Sequence, residues 1–292
     1  MMSNTIPTPT APGAVPCGEC PRCGYDLRGI VATWNDCCPL DGRCSECGLD
    51  FAWANVLNPR MTTPDWSFEH AQTRLIRKFL HTLLQTFRPW RLFAGLRMEH
   101  PIHFGRIVAL LAACALALHL GVAAICTSYR YALYGGLQMG WGRAHSTLAD
   151  VGLVALWPYS SGHLWWLASR SPLGPGPVVV APTIALMPVA FLLLPDTLRR
   201  SRVRRAHIAR VGLYSFVAPC LIWSALAVLW SAHYAINWHN RISGGIAVQW
   251  LPSDAAMFNA MLAGSLLLLL WAPFFWWRAG KQYLKLPHPL IV

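Results

Sequence analysis

Four runs of this chain, Ile107–Cys126, Pro177–Pro195, Val211–Ala232 and Ala255–Trp277, contain no Asp, Glu, Lys or Arg. Each is about 20 residues long, the length a helix needs to cross a bilayer core. Inside lipid every backbone N–H and C=O must find its partner within the protein, which a helix provides within its own run. Composition agrees: 55% of the 292 residues are hydrophobic and only 12% charged, against about 25% charged in soluble domains. Fifteen tryptophans suit the bilayer interface, where indole rings are enriched.

The loop charges predict the direction of each span. One basic block runs from Arg74 to Arg106 and a second from Arg199 to Arg210, each beside an apolar run. Cytoplasmic loops collect Lys and Arg and face anionic lipid. Four spans place both blocks, together with Arg278, Lys281 and Lys285, on the cytoplasmic side, so both termini are cytoplasmic. A fifth uncharged stretch, Val151–Ser169, is interrupted by Pro158-Tyr159-Ser160-Ser161-Gly162-His163. Counting it as a span would move the second arginine block outside, against the charge rule. It is read as an interfacial or re-entrant element, with a fifth span as the alternative.

Ahead of the membrane part stand two matched knuckles, Cys20-Pro-Arg-Cys23-Gly24 and Cys44-Ser-Glu-Cys47-Gly48. A two-residue gap within each pair lets both sulfurs of a tight turn face one cation, and this pattern is that of a four-cysteine zinc ribbon. Gly24 and Gly48 fit the positive-φ position that ends such a turn. Cys20, Cys23, Cys44 and Cys47 are therefore the expected metal ligands, with structural Zn2+ as the cofactor. Cys17, Cys37 and Cys38 are competitors by proximity. A disulfide-stapled module is the alternative, and seven cysteines between Cys17 and Cys47 is an odd count for it.

The segment CPRCGYDLRG, Cys20 to Gly29, followed by the CxECG knuckle, resembles a family of bacterial zinc-ribbon multi-pass membrane proteins of unknown function. The resemblance covers residues 17–52. The stretch Ile30–Asp41, carrying Cys37 and Cys38, is longer than that family's usual loop. Phe87-Arg88-Pro89-Trp90-Arg91-Leu92-Phe93 is similar to the lead-in segment of Yip-type membrane domains, and no functional residue follows from that likeness.

The expected fold is thus a small β zinc ribbon followed by an all-α transmembrane bundle of four spans. Its parts are a disordered leader over 1–16, the ribbon over 17–52, an amphipathic interfacial region over 66–100 and the helical domain over 104–292. The leader is rich in Pro, Thr and Ala and lacks the basic start and apolar core of a cleavable signal. In the interfacial region Leu75, Ile76, Phe79, Leu80, Leu83, Leu84 and Phe87 recur at helical spacing among basic residues until Pro89. Such a helix lies on a membrane surface.

A net charge of +12 invites a nucleic-acid reading, but the ribbon is its acidic part. Residues 1–60 hold four arginines and six acids, and phosphate binding needs the opposite balance. Nucleic acid is not an expected partner; the lipid bilayer and a protein docked on the ribbon are. Catalytic signatures are absent: no HExxH, no Walker lysine loop, no GxSxG. Beyond residue 70 the acids Glu99, Asp150, Asp196 and Asp254 all lie outside the uncharged runs, unlike the mid-membrane acids of ion-coupled transporters. Expectation therefore favours a non-enzymatic protein of the bacterial cytoplasmic membrane whose ribbon is an interaction or scaffold module. The alternatives are a small-solute or lipid transporter with spans kinked at Pro182, Pro188, Pro219 and Pro273, and an outer-face metalloenzyme using His145, His163, His233 and His239.

Overall fold

The structure is a computed structural model and describes residues 18–34, 37–135, 202–242 and 254–286. The ribbon begins with the first knuckle and a short helix α1 (Arg28–Val31), followed by strands β1 (Asp41–Arg43) and β2 (Asp50–Ala52). The strands pair antiparallel with Gly42 opposite Phe51. Gly42 has no room for a side chain, because a Cβ there would sit 2.6 Å from Trp53 Nε1. That close approach lets Trp53, at the start of α2 (Trp53–Leu57), fill the ribbon core edge-on to Trp34 and Phe51.

A 3-10 turn over Pro59–Thr62 leads toward α3 (Leu75–Thr86) and α4 (Pro89–Gly95). Pro89 sits at the first position of α4, where its missing N–H costs nothing and its ring ends the preceding helix. The apolar periodicity of this region therefore resolves into two helices. The inward side of α3 carries Thr82 and Thr86, both fully buried. Thr82 Oγ1 accepts from the Phe68 N–H at 2.8 Å and donates to the Trp66 carbonyl at 3.0 Å. Two buried backbone groups of the preceding loop are satisfied in this way.

Three long helices follow: α5 (Phe104–Gly135), α6 (Arg205–Ile242) and α7 (Asp254–Arg278), the last running into a π-helical turn over Ala279–Tyr283. Among the described residues these three are long and apolar enough to cross a membrane, over Phe104–Gly121, Arg205–Leu226 and Leu262–Tyr283. Large apolar side chains on them, among them Leu116, Val228 and Leu267, are exposed, as lipid-facing residues are. The chain thus has the make-up of a membrane protein. The expected second span, Pro177–Pro195, and the alternative span Val151–Ser169 lie outside the described residues, as do the leader, Pro182 and Pro188. Pro219 and Pro273 do fall inside helices, in α6 and α7.

The chain divides into two compact units. One consists of Met1–Val108, Pro188–Gly212 and Trp276–Val292, the other of Ala109–Met187 and Leu213–Phe275. The first holds the ribbon, α3 and α4 around a core that includes Leu27, Leu92, Leu96, Ile107, Ile208 and Tyr283. In the second, Gly264 of α7 brings its backbone close to Leu226 of α6: a Cβ would stand 3.3 Å from Leu226 Cδ1.

Candidate metal centre and its seat

The two knuckles are built alike. In the first, Gly24 N–H donates to the Cys20 carbonyl at 2.9 Å and Cys20 N–H to the Tyr25 carbonyl at 2.7 Å. In the second, Gly48 N–H donates to the Cys44 carbonyl at 2.9 Å and Cys44 N–H to the Leu49 carbonyl at 3.0 Å. Gly24 and Gly48 have φ of +82° and +67°, the left-handed region where a Cβ is strained. Each turn also aims backbone N–H groups at its first sulfur, those of Arg22 and Cys23 at Cys20 and those of Glu46 and Cys47 at Cys44.

The structure brings Cys20, Cys23, Cys44 and Cys47 together with all four Sγ atoms within 4.8 Å of one another. Across the knuckles, Cys20 Sγ is 3.6 Å from Cys47 Sγ and Cys23 Sγ is 3.7 Å from Cys44 Sγ. A tetrahedral ion with metal–sulfur bonds of about 2.3 Å has sulfur–sulfur edges of about 3.8 Å. The four sulfurs thus already lie near the corners of such a site. The separations are far beyond the ~2.05 Å of a disulfide, and all four thiols are free. Cys37 and Cys38 are exposed and stand outside the cluster. Cys17 lies outside the described residues.

The electrostatics of the cluster call for a cation. Burial pushes the Cys20 thiol well above its ordinary range and Cys47 up to about 11. Burial works against the Cys44 thiolate as well. Hydrogen bonds from the Cys47 and Glu46 N–H groups and from neighbouring thiols outweigh it, leaving that thiol below its ordinary value. Protein groups alone favour the Cys44 thiolate and resist those of Cys20 and Cys47; a metal ion offsets that resistance when it takes the thiolates as ligands.

Sequence reasoning missed the seat on which this cluster rests. Arg204 N–H donates to the Arg22 carbonyl at 2.9 Å, and the Arg204 guanidinium pairs with Glu19. That guanidinium lies over Gly24, where a Cβ would collide with it. Arg202 pairs with Glu46 at 2.6 Å. Lys285 Nζ donates to the Asp50 carbonyl at 3.4 Å. The residues leading into α6 thus grip both knuckles, and Lys285 holds the strand that follows the second.

A buried chain of hydrogen bonds continues from this seat. Arg210 Nη1 donates to Tyr283 Oη at 3.0 Å. Arginine only donates, so the tyrosine hydroxyl accepts there and gives its own proton to His207 Nδ1, 2.8 Å away. His207 Nε2 then carries the remaining proton and donates to the Pro21 carbonyl at 2.7 Å. Pro21 lies between two cysteines of the cluster. Arg210 is held in turn by Glu69, with Nη2 2.7 Å from Oε2.

The second arginine block, expected to face lipid, thus spends Arg202, Arg204 and Arg210 on Glu46, Glu19 and Glu69. One signal for this lay in the sequence: an acidic ribbon in a chain with two basic blocks. Charge balance alone does not say which arginine meets which acid. Of the outer-face histidines, His145 and His163 lie outside the described residues. His233 and His239 fall within α6, where His233 is buried.

Compared with known proteins, the chain matches no family model, no curated protein and no solved structure.

Proposed function

We propose that this chain is a non-enzymatic integral protein of the bacterial cytoplasmic membrane in which a structural zinc ribbon serves as a scaffold. Cys20, Cys23, Cys44 and Cys47 are the ligands. Zinc suits them because a tetrahedral all-thiolate donor set matches its softness and geometry. Four protein ligands close the coordination sphere and leave no position for a reacting water, so the ion folds the module and performs no catalysis. In this reading the chain has four spans and cytoplasmic termini, and the ribbon sits in the reducing compartment, where thiols stay available for metal.

One observation carries the scaffold reading. The backbone of the first knuckle accepts hydrogen bonds from His207 and Arg204 at the start of α6. A free interaction module on a flexible tether would not have its metal turn built into a helix terminus. Metal binding to such a ribbon contributes folding free energy, and through His207 and Arg204 that contribution reaches α6. A partner protein, where one binds, meets a ribbon held rigidly against the helix start.

The test is thermal unfolding of the full chain in mild detergent, before and after metal removal by a chelator, followed by helical circular dichroism. Removal lowers the midpoint of the helical signal if the ribbon is a scaffold. An unchanged midpoint, with metal loss verified, would refute the scaffold role and leave a tethered module.

A further inference from the structure

Helix α3 is amphipathic but packs the wrong way round for a soluble protein. Its buried side carries the threonines Thr82 and Thr86, while Ile76 is 79% exposed and Leu84 63% exposed. Ile76, Leu80 and Leu84 follow at four-residue intervals and Phe87 comes three later, so at 100° per residue they form one stripe. Trp90, at the start of α4, is exposed beyond it.

Arg77 flanks this stripe on α3, and Arg74, Arg88 and Arg91 stand at or beyond the helix ends, whereas Lys78 lies toward the Thr82 side. Arg74, Arg77, Arg88 and Arg91 are exposed and Lys78 is half-exposed. No ion pair among the described residues engages any of the five. Between Glu69 and Glu99 the sequence contains no acid at all. The second arginine block, by contrast, satisfies acids of the ribbon and of the loop ahead of α3. Among the described residues no acid does the same for these five.

We infer that the exposed face of α3, continued by Trp90, is a docking surface for anionic phospholipid. The apolar stripe enters the boundary between headgroups and acyl chains, and the exposed Arg74, Arg77, Arg88 and Arg91 meet headgroup phosphates. Charge complementarity selects this occupant. An acidic peptide would satisfy the cations and leave the leucines wet; a second copy of the same face would oppose like charges. The inference rests on the membrane reading, because it needs a bilayer beside the unit.

The experiment places a fluorescent non-natural side chain at Ile76, and separately at Leu116 of α5, in the full chain. Each protein is reconstituted into phosphatidylcholine vesicles with or without phosphatidylglycerol. Acyl-chain spin-labelled lipid and aqueous iodide serve as quenchers. The expected result is lipid quenching at Leu116 in both vesicles, and at Ile76 most strongly with phosphatidylglycerol. Arg74→Gln, Arg77→Gln and Arg88→Gln, at exposed positions, should each weaken that anionic preference about fivefold. Equal quenching at Ile76 in both vesicles would overturn anionic recognition. Iodide access at Ile76, or shielding from both quenchers, would overturn lipid docking altogether. Failure at Ile76 with Leu116 quenched by lipid rejects this inference alone, whereas failure at Leu116 rejects the membrane reading with it.

Discussion

Arg210 and Glu69, 141 residues apart in the chain, form an ion pair from which water is excluded. Arg210 Nε and Nη2 lie 3.0 and 2.7 Å from the same carboxylate oxygen, Oε2, and the two side chains are 1% and 0% exposed. The other oxygen, Oε1, accepts the His103 N–H at 3.1 Å. The pair ties the loop ahead of α3 to α6 and leaves neither charge bare.

Breaking such a pair from one side strands a buried charge and costs about 3–5 kcal/mol, whereas replacing both partners by apolar groups costs far less. Glu69→Leu and Arg210→Met should each lower unfolding stability by about that amount. The double variant should recover most of the loss. Chemical unfolding in detergent, arranged as a double-mutant cycle, measures this, and additive losses would show that the pair is not coupled.

His207 and Gly24 report on the seat of the ribbon. His207→Phe strands the Pro21 carbonyl and the Tyr283 hydroxyl, a loss of about 1–2 kcal/mol. It should speed metal release to a competing chelator roughly 5–30-fold. Gly24→Ala should act in the same direction through its positive φ and its collision with Arg204. Release kinetics equal to wild type in both variants would mean that the helix terminus does not support the knuckle.

Thr82 carries two hydrogen bonds from the middle of α3 to the Trp66–Phe68 loop. Thr82→Val keeps the shape and removes both, leaving a buried N–H and a buried carbonyl unsatisfied at a cost of about 1–3 kcal/mol. Amide hydrogen exchange should quicken over Leu75–Thr86 while the metal content stays unchanged. Unchanged exchange in α3 would contradict the role given to this threonine.

His70 and His100 predict acid sensitivity. Burial, reinforced by the charges of Arg210, His70 and Arg97, brings His100 down to about 3, and burial also lowers His70. Hydrogen bonding explains the cost of protonation: His100 Nδ1 accepts the Arg97 N–H at 3.2 Å and has no place for a second proton. An imidazole whose folded value lies below its unfolded value of 6.5 contributes stability above that pH. For His100 the contribution is lost as pH falls from about 6.5 toward about 3, at about 1.4 kcal/mol per pH unit, and His70 acts in the same direction. Unfolding free energy should therefore decline with acid across this window, and His100→Gln should flatten the slope. Equal slopes in the two proteins would assign the acid sensitivity elsewhere.

The parts of this molecule that were legible in its sequence are those set by local spacing. The two knuckles needed only the intervals Cys20–Cys23 and Cys44–Cys47 and a glycine after each, and the structure brings those four sulfurs together. Three uncharged runs became helices. Their starts were harder to read: α6 begins at Arg205 rather than at Val211, and its first turn carries His207, which donates to the Pro21 carbonyl. Pro89 marked the end of α3, but the direction in which the helix faces was hidden. The bonds of Thr82 to Trp66 and Phe68, with the ring contact of Phe79 on Phe68, turn the side bearing Thr82 inward. The seat itself, made by Arg204 and His207, reaches Arg22 and Pro21 across more than 180 residues, and no local pattern encodes such a distance.

The most direct measurement is the zinc content of the purified full chain, by elemental analysis, beside that of Cys44→Ser. One zinc per chain is expected in the wild type and a near-complete loss in the variant, with the variant still inserted in the membrane. Equal zinc in the two proteins, or none in the wild type, would contradict a structural zinc ribbon at Cys20, Cys23, Cys44 and Cys47.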